Sequence, residues 1–299
     1  MDTLTQGLRL RIKSKLHNAS LSIGILLIIS ILIMSICAPL FAPYDPNYQD
    51  LTIRLKPPGF INPINGERHI LGTDSLGRDI LSRIIYGSRI SLIIAIVSVS
   101  ITAIIGTVLG LLAGFLGKVT EMVIMRAVDL TLSIPSMLLA ISIVAVLGSG
   151  IANLLIALSI SQVPRLASIT RWARYTRTQY GQVLSYSERE FVQAVTSIGC
   201  SKNRIIFRHI LPNIVSTTIV LATLDLGFVI IFESGLSFLG LGVPPTIPTW
   251  GGMLSEGRAY INNAWWLSTF PGIAIMLTVL GFNLIGDSIR DALDPTLRV

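Results

Sequence analysis

Long apolar stretches separated by polar segments run through the 299-residue chain. A bilayer core about 30 Å thick is crossed by about 20 apolar residues in helical conformation. Stretches of about this length predict six transmembrane helices, at residues 21–41, 90–117, 120–147, 151–169, 211–234 and 264–287. The third and fourth form a helical hairpin, because the uncharged stretch 130–164 is too long for one span and contains a glycine-rich turn at 148–150.

Composition and charge agree with this topology. Hydrophobic residues make up 52% of the chain and charged residues 13%, against about 25% charged residues in soluble domains. With the N-terminus in the cytoplasm, sixteen of the 23 lysines and arginines fall in cytoplasmic segments. Because basic residues concentrate on that side, we predict an all-α polytopic membrane protein with cytoplasmic N- and C-termini. The net charge of +7 then reflects cytoplasmic loops rather than a nucleic-acid partner.

The first apolar stretch also resembles the apolar region of a signal peptide. It exceeds the length typical of such regions, so we expect a retained first membrane helix rather than a cleaved leader.

Two outer segments carry patterns of their own. In the first, 42–89, Thr73 or Asp74 can cap a helix. The apolar side of that helix would consist of Leu76, Ile80, Ile84 and Tyr86. We expect the helix at the membrane surface or against a partner protein.

The second segment, 235–268, contains Trp250, Trp265 and Trp266. These tryptophans predict an aromatic belt at the outer membrane interface, with contact to substrate as the alternative.

The polar segment between the fourth and fifth spans, 165–209, is too long for a simple turn. Ser187 and Glu190 are spaced as in a capping box. The apolar positions that follow at helical spacing are Phe191, Ala194, Val195 and Ile198. Gly199 can end this helix, and Ser201 can begin a second one at 202–211. The pattern predicts a short amphipathic helix, 187–199, whose apolar side either contacts a partner protein or lies on the membrane.

Ionisable residues within predicted spans are costly and therefore candidates for function. Arg126 and Asp129 are three residues apart and can pair on the third span. Asp225 lies well inside the fifth span, and Glu233 lies near its outer end. Asp225 either makes a structural contact, within the chain or with a paired subunit, or lines a substrate path.

The sequence contains no pattern for ATP hydrolysis or metal catalysis. Gly117-Lys118 lacks the other residues of a P-loop. The three histidines lie far apart, and GLSFL at 235–239 lacks the second glycine of a nucleophile elbow. We therefore predict that this chain is not an enzyme.

The segment 188–213 has the sequence EREFVQAVTSIGCSKNRIIFRHILPN and resembles the EAA loop of ABC-importer permeases. The residues that match the loop are Ala194, Gly199, Ile205, Leu211 and Pro212. Gln193 replaces the usual Glu, which removes a charge that could pair with the ATPase. Five further blocks are similar to the C-type subunit of the dipeptide/oligopeptide/nickel permease family. These blocks are APYDPNYQDL, LGTDSLGRDILSRIIYGSRISL, MRAVDLTLSIPSMLLA, FLGLGVPPTIPTWGGML and GFNLIGDSIRDALDP.

This resemblance implies a type I ABC-importer permease fold in the cell inner membrane. It implies three kinds of partner: a homologous permease subunit, two ABC ATPase subunits that bind ATP and Mg²⁺, and a periplasmic or lipid-anchored substrate-binding protein. No cofactor is implied for this chain, and the surrounding membrane lipid is a further expected partner. The ATPase-coupling helix would involve Glu190, Gln193, Ala194, Ile198, Gly199, Ile205 and Pro212.

The expected organisation has three parts. Residues 1–87 comprise a tail, the first helix and a periplasmic segment, residues 88–287 form the transmembrane core with its coupling loop 165–209, and residues 288–299 form a cytoplasmic tail. Di- and oligopeptides are the expected substrates, with nickel, metal chelates or glutathione as alternatives. The alternative of another class is an ion-coupled secondary transporter, but the chain shows no convincing internal repeat of the kind common in such proteins.

Overall fold

The structure is a computed structural model that describes residues 2–135, 137–138, 163–239 and 243–293. Its helices are α1 (Asp2–Ile36), α2 (Ala38–Phe41), α3 (Ile80–Phe115), α4 (Lys118–Ser133), α5 (Val163–Ser187), α6 (Glu190–Ser197), α7 (Lys202–Ile205), α8 (Leu211–Phe238), α9 (Trp250–Gly257) and α10 (Trp266–Leu293). Short 3-10 helices occupy Leu51–Ile53 and Arg258–Tyr260, and a π-helical turn at Ile206–Ile210 joins α7 to α8. Strands β1 (Phe60–Ile61) and β2 (Arg68–His69) pair antiparallel.

In the described part of the chain, four helical stretches are long and apolar enough to cross a membrane: Ala19–Ile36, Ile80–Phe115, Lys202–Phe238 and Trp266–Leu293. They coincide with the predicted first, second, fifth and sixth spans, although the first ends at Ile36 rather than at residue 41. The second and fifth begin earlier than predicted, since polar residues before each apolar stretch continue the same helix. Most of the predicted third and fourth spans, with the turn at 148–150, lies outside the described residues.

The chain divides into two compact units. The first unit comprises Met1–Ala95 and Leu226–Ile289, and the second comprises Ile96–Asp225 and Arg290–Val299. In the first unit, α1 packs closely on α10 at two glycines. A Cβ atom on Gly24 would lie 2.9 Å from Leu284 Cβ, and one on Gly281 would lie 2.9 Å from Ile28 Cδ1. Small residues of this kind let membrane helices approach at backbone distance.

Asp79 starts helix α3. Its Oδ2 atom accepts hydrogen bonds from the Ser82 amide and hydroxyl, both at 2.8 Å, and its Oδ1 atom lies 2.9 Å from Nδ1 of His69. The predicted cap at Thr73 or Asp74 is therefore wrong. Asp74 instead accepts from the Leu76 and Arg78 amides and holds the turn that precedes the helix.

The first turns of α3 are buried on several sides. Ser82, Arg83, Ile84 and Ile85 are all at most 8% exposed. The prediction of an amphipathic helix that lies on the membrane or against a partner is thus wrong for this segment, because the chain covers it with its own residues. Part of the cover is Trp250, which is 2% exposed and donates its indole N–H to the Ile84 carbonyl at 3.0 Å.

The predicted aromatic belt is correspondingly wrong for two of its three tryptophans. Trp266 is 6% exposed and donates to the Thr73 carbonyl at 3.2 Å. Of the three, Trp265 alone is exposed, at 52%, so the prediction of an interfacial position still applies to it. Trp250 instead joins α9 to the first turns of α3, and Trp266 joins the start of α10 to the segment before α3.

Four charged side chains form a closed ring in the first unit. Arg78 reaches Asp74 Oδ2 and Glu256 Oε2, each at 2.6 Å. Arg83 lies 3.2 Å from Glu256 Oε1 and 3.4 Å from Asp74 Oδ2. Each arginine thus meets both carboxylates, and each carboxylate meets both arginines. The ring is electrically neutral, which lets two guanidinium groups exist at 4% exposure or less.

We expect Glu256→Gln to destabilise the protein by about 3 kcal/mol, because two buried arginines would then share one carboxylate. The matched control is Glu67→Gln, at a half-buried glutamate outside the ring. Thermal unfolding of the detergent-purified protein measures both variants. Equal unfolding temperatures for the two would contradict a stabilising role for the ring.

A glycine seam joins α3 to α5 in the second unit. Gly106, Gly110 and Gly114 recur every four residues, so they share one side of α3. Added Cβ atoms would lie 2.3 Å from Tyr175 Cβ, 2.6 Å from Gln179 Cβ and 2.4 Å from Val183 Cγ1, respectively. These distances leave no space for a methyl group at any of the three positions.

We expect Gly110→Ala to cost about 1–3 kcal/mol through overpacking against α5. Gly181→Ala is the control, because a Cβ atom at this helical glycine meets nothing within 4 Å. That variant should be neutral or stabilising by up to about 1 kcal/mol, since alanine favours helix. Unfolding temperatures of the two variants test the seam, and a stable Gly110→Ala protein would show that the helices can separate without cost.

Candidate functional site

The polar segment after the fourth predicted span is largely helical. Helix α5 continues to Ser187, whose hydroxyl donates to the Val183 carbonyl at 2.7 Å. The predicted capping box is therefore wrong, because Ser187 ends one helix instead of starting the next. Helix α6 begins at Glu190, with Arg189 in extended conformation as its N-cap. A short helix is therefore present within 187–199, as predicted, but it covers only Glu190–Ser197.

Some apolar residues of α6 are buried against the rest of the chain, and others are exposed at the surface. Val192 is 3% exposed, and Val195 is half-buried. Both pack in a cluster of buried residues from α5, α6, α7, the π turn and α8: Val183, Val192, Ile205, Ile210 and Ile214. On the other side, Phe191 is 41% exposed and Ile198 78% exposed. The predicted apolar stripe is therefore wrong at Val195, while Phe191, Ala194 and Ile198 remain exposed together.

The predicted stop at Gly199 is confirmed. Its φ of 82° is left-handed, a conformation that favours glycine. The Cys200 amide donates to the Val195 carbonyl at 3.1 Å, and the Gly199 amide donates to the Thr196 carbonyl at 3.0 Å. This pair of bonds is the Schellman arrangement, which satisfies the last carbonyls of a helix.

The helix predicted at 202–211 is the beginning of a longer one. Helix α7 starts after Ser201 and continues through the π turn into α8. Pro212 lies in the first turn of α8, as expected. Proline has no N–H and crowds the preceding turn, and a π turn is one way in which a helix accommodates such a disruption. Ile205 is 4% exposed and belongs to the buried cluster.

Gln193, the departure from the family pattern, has a local partner. Its side-chain Nε2 donates to the Glu188 carbonyl at 3.1 Å. A glutamate cannot donate this bond when ionised. Glu190 and Gln193 are both exposed on α6, so neither is used to fill the chain's own core.

Asp225 is buried at 5% exposure, and sequence reasoning missed its partners. Arg171 of α5 donates an Nη2–H to Asp225 Oδ1, and Arg174 Nη1 lies 3.6 Å from the same oxygen. Arg171 is itself 9% exposed, whereas the Arg174 side chain is 58% exposed. Both arginines lie in the predicted coupling loop 165–209, which the structure shows to begin as part of helix α5. The available signal was their helical spacing with Arg177, which places three arginines along α5.

The predicted pair of Arg126 with Asp129 is wrong. In the described residues, Asp129 of α4 pairs with Arg177 of α5, and both side chains are about half-exposed. A second link between these helices runs from the Tyr180 hydroxyl to Glu121 Oε1. The hydrogen bond to that carboxylate raises the pKa of Tyr180.

Glu233 is a buried acid of the first unit at 4% exposure. Its Oε1 atom accepts the Ser237 hydroxyl at 2.7 Å, and a Cβ atom on Gly251 of α9 would lie 3.2 Å from its Oε2. Glu233 therefore packs between α8 and α9. Within the described residues, no group of three His, Cys, Asp or Glu side chains is placed to hold a metal ion.

The described residues thus combine long apolar helices with a short helix, α6, whose apolar residues Phe191 and Ile198 are exposed. Residues 106–299 match the family described as binding-protein-dependent transport system inner membrane component. Residues 16–58 match the N-terminal TM domain of oligopeptide transport permease C. The chain belongs to this binding-protein-dependent permease family, and the resemblance seen in the sequence is confirmed.

Individual relatives are similar over nearly the whole chain. The di/tripeptide transport system permease protein DppC of Pseudomonas aeruginosa (strain UCBPP-PA14) is 44% identical over 94% of this chain and 90% of its own length. The probable D,D-dipeptide transport system permease protein DdpC of Escherichia coli (strain K12) is 41% identical over 90% and 85%. The glutathione transport system permease protein GsiD of Pectobacterium atrosepticum is 41% identical over 91% and 86%.

Proposed function

We propose that this chain is one of two homologous permease subunits in an ATP-driven importer of di- and oligopeptides in the cell inner membrane. The observation that carries the proposal is α6. The helix packs on its own chain through Val192 and leaves Phe191 and Ile198 exposed, and we assign this exposed side to contact with the ATPase. Family membership supports the partners: a second permease, two ABC ATPase subunits that bind ATP and Mg²⁺, and a periplasmic or lipid-anchored binding protein.

The proposed topology has six spans in the type I arrangement, with both termini in the cytoplasm. The distribution of basic residues supports this orientation. The core at 88–287 then carries α6 on its cytoplasmic side, and the segment 42–89 faces the binding protein. Glu190, Gln193, Ala194, Ile198 and Gly199 form or shape the docking surface, while Ile205 and Pro212 place the helix that follows it.

Transport would proceed by alternating access. ATP binding closes the two ATPase subunits, and their motion moves α6 and the helices attached to it. The paired permeases then open outward and accept substrate from the binding protein. ATP hydrolysis and product release return them to the inward state. This chain supplies half of the pathway and half of the coupling surface.

Peptides are favoured as substrates by the relatives, whose names specify di- and tripeptides, D,D-dipeptides and glutathione. Glutathione is itself a tripeptide, so these names describe one chemical class. No comparable observation favours nickel, a metal chelate or an ion-coupled secondary mechanism.

The proposed transport is tested with the complete complex in proteoliposomes. We expect uptake of labelled di- and tripeptides that requires internal ATP, and no uptake of Ni²⁺ under the same conditions. Vesicles that lack this chain are the control. Peptide uptake that continues without ATP while an ion gradient is maintained would instead identify a secondary transporter.

The docking role of α6 is tested by Ile198→Glu, which places a charge on the exposed apolar surface. Loss of a central interface contact costs about 2 kcal/mol, roughly thirtyfold in affinity, so less ATPase should co-purify and uptake should fall. Val119→Glu is the matched control, because Val119 is 75% exposed against 78% for Ile198. An equal amount of bound ATPase in both variants would refute docking at α6.

A further inference from the structure

Helix α5 and the helical run from Lys202 to Asp225 form an antiparallel hairpin, with α6 at its turn. We call this segment, Val163 to Asp225, the coupling hairpin. All of it that the structure describes lies in the second unit. The contacts between its two arms occur at three levels, which progress in opposite directions along the two arms.

Each level uses a different interaction. Next to α6, Val183 of one arm and Ile214 of the other share the buried apolar cluster. In the middle, Gln179 Nε2 donates to Thr218 Oγ1 at 3.0 Å. Farthest from α6, Arg171 pairs with Asp225. At 1.5 Å per helical residue, that last level lies roughly 24 Å along α5 from Ser187.

The apolar level and the ionic level constrain the hairpin differently. Apolar side chains keep their burial when two helices slide by a fraction of a turn, because the hydrophobic effect is non-directional. A hydrogen-bonded guanidinium and carboxylate lose both alignment and charge compensation on such a shift. Arg171 and Asp225 are both at most 9% exposed, so separating the pair would take the closest charged partner away from each of two buried charges.

We propose that the ion pair of Arg171 and Asp225 fixes the register of the two arms, so that a displacement of α6 is carried undiminished to the depth of Asp225. Both are positioning residues: they act through the hairpin and not on substrate. This inference rests on the proposed docking of an ATPase at α6. It gives Asp225 and Arg171 the same mechanical role, which is to hold the two arms in register.

The test uses the complete complex in proteoliposomes with Arg171→Gln and Asp225→Asn combined. This double variant removes both charges and keeps side chains of similar size, so neither partner is left as an unpaired buried charge. The control is Arg177→Gln combined with Asp129→Asn. It breaks a half-exposed ion pair of the same helix, α5, with α4 rather than with the other hairpin arm.

The first measurement is the number of peptides imported per ATP hydrolysed. We expect the Arg171/Asp225 variant to lose at least fivefold in this ratio, with basal ATP hydrolysis within twofold of the wild type. The control should keep the ratio within twofold. A variant with Arg171→Lys and Asp225→Glu, which keeps both charges, should retain more than half of the wild-type ratio. An unchanged ratio in the neutral variant, or an equal loss in the charge-keeping one, overturns the proposal.

The second measurement reports register directly and does not depend on transport. Spin labels replace Leu184 on one arm and Ile219 on the other, which are 41% and 50% exposed, after Cys37 and Cys200 are changed to Ala. We expect one narrow distance distribution in the wild type, with or without bound ATP. The neutral double variant should give a broader one, and a distribution as narrow as the wild type overturns the proposal. A wild-type complex that hydrolyses ATP but imports no peptide would refute the proposed function, while the label distances still decide the inference.

Discussion

Compensation of buried charge is the constraint on which both compact units depend. Only 13% of the residues are charged, yet several of them lie deep in the protein. In the first unit, Arg78 and Arg83 share Asp74 and Glu256 in a neutral ring. In the second unit, Asp225 pairs with Arg171. Each set joins segments far apart in sequence, so charge compensation also fixes which segments meet.

Close backbone approach is the second constraint, and it acts on α5, the helix that carries Arg171. The glycines of α3 leave room for α5, and the side of α5 that meets them carries Tyr175, Gln179 and Val183. Gln179 also donates to Thr218, and Val183 also belongs to the cluster beneath α6. Helix α5 is thus held by α3 and by α8 through shared residues, which links the glycine seam to the placement of α6.

The predictions that agree with the structure rest on hydropathy and on the backbone conformation of glycine. Four spans and the stop at Gly199 follow from single-segment properties, and the structure has them. The failures involve competition with distant residues. Ser187 has a suitable capping partner, but α5 continues through it. Asp129 prefers Arg177 over its neighbour Arg126, and Trp250 is buried by α3 rather than left at an interface. Nothing local in a sequence ranks these alternatives.

A helix as short as α6 cannot be stable alone, since isolated helices of fewer than about 12 residues are marginal in water. Its stability must come from its attachments: Val192 and Val195 in the apolar cluster, the bonds around Gly199, and the Gln193 bond to Glu188. The same attachments decide how it can move. Because α6 packs on residues of α5 and α8, a movement of α6 displaces these helices, and a movement of these helices displaces α6. If the exposed side of α6 receives the force of an ATPase, that force therefore reaches α5 and α8 through the packed residues of the apolar cluster.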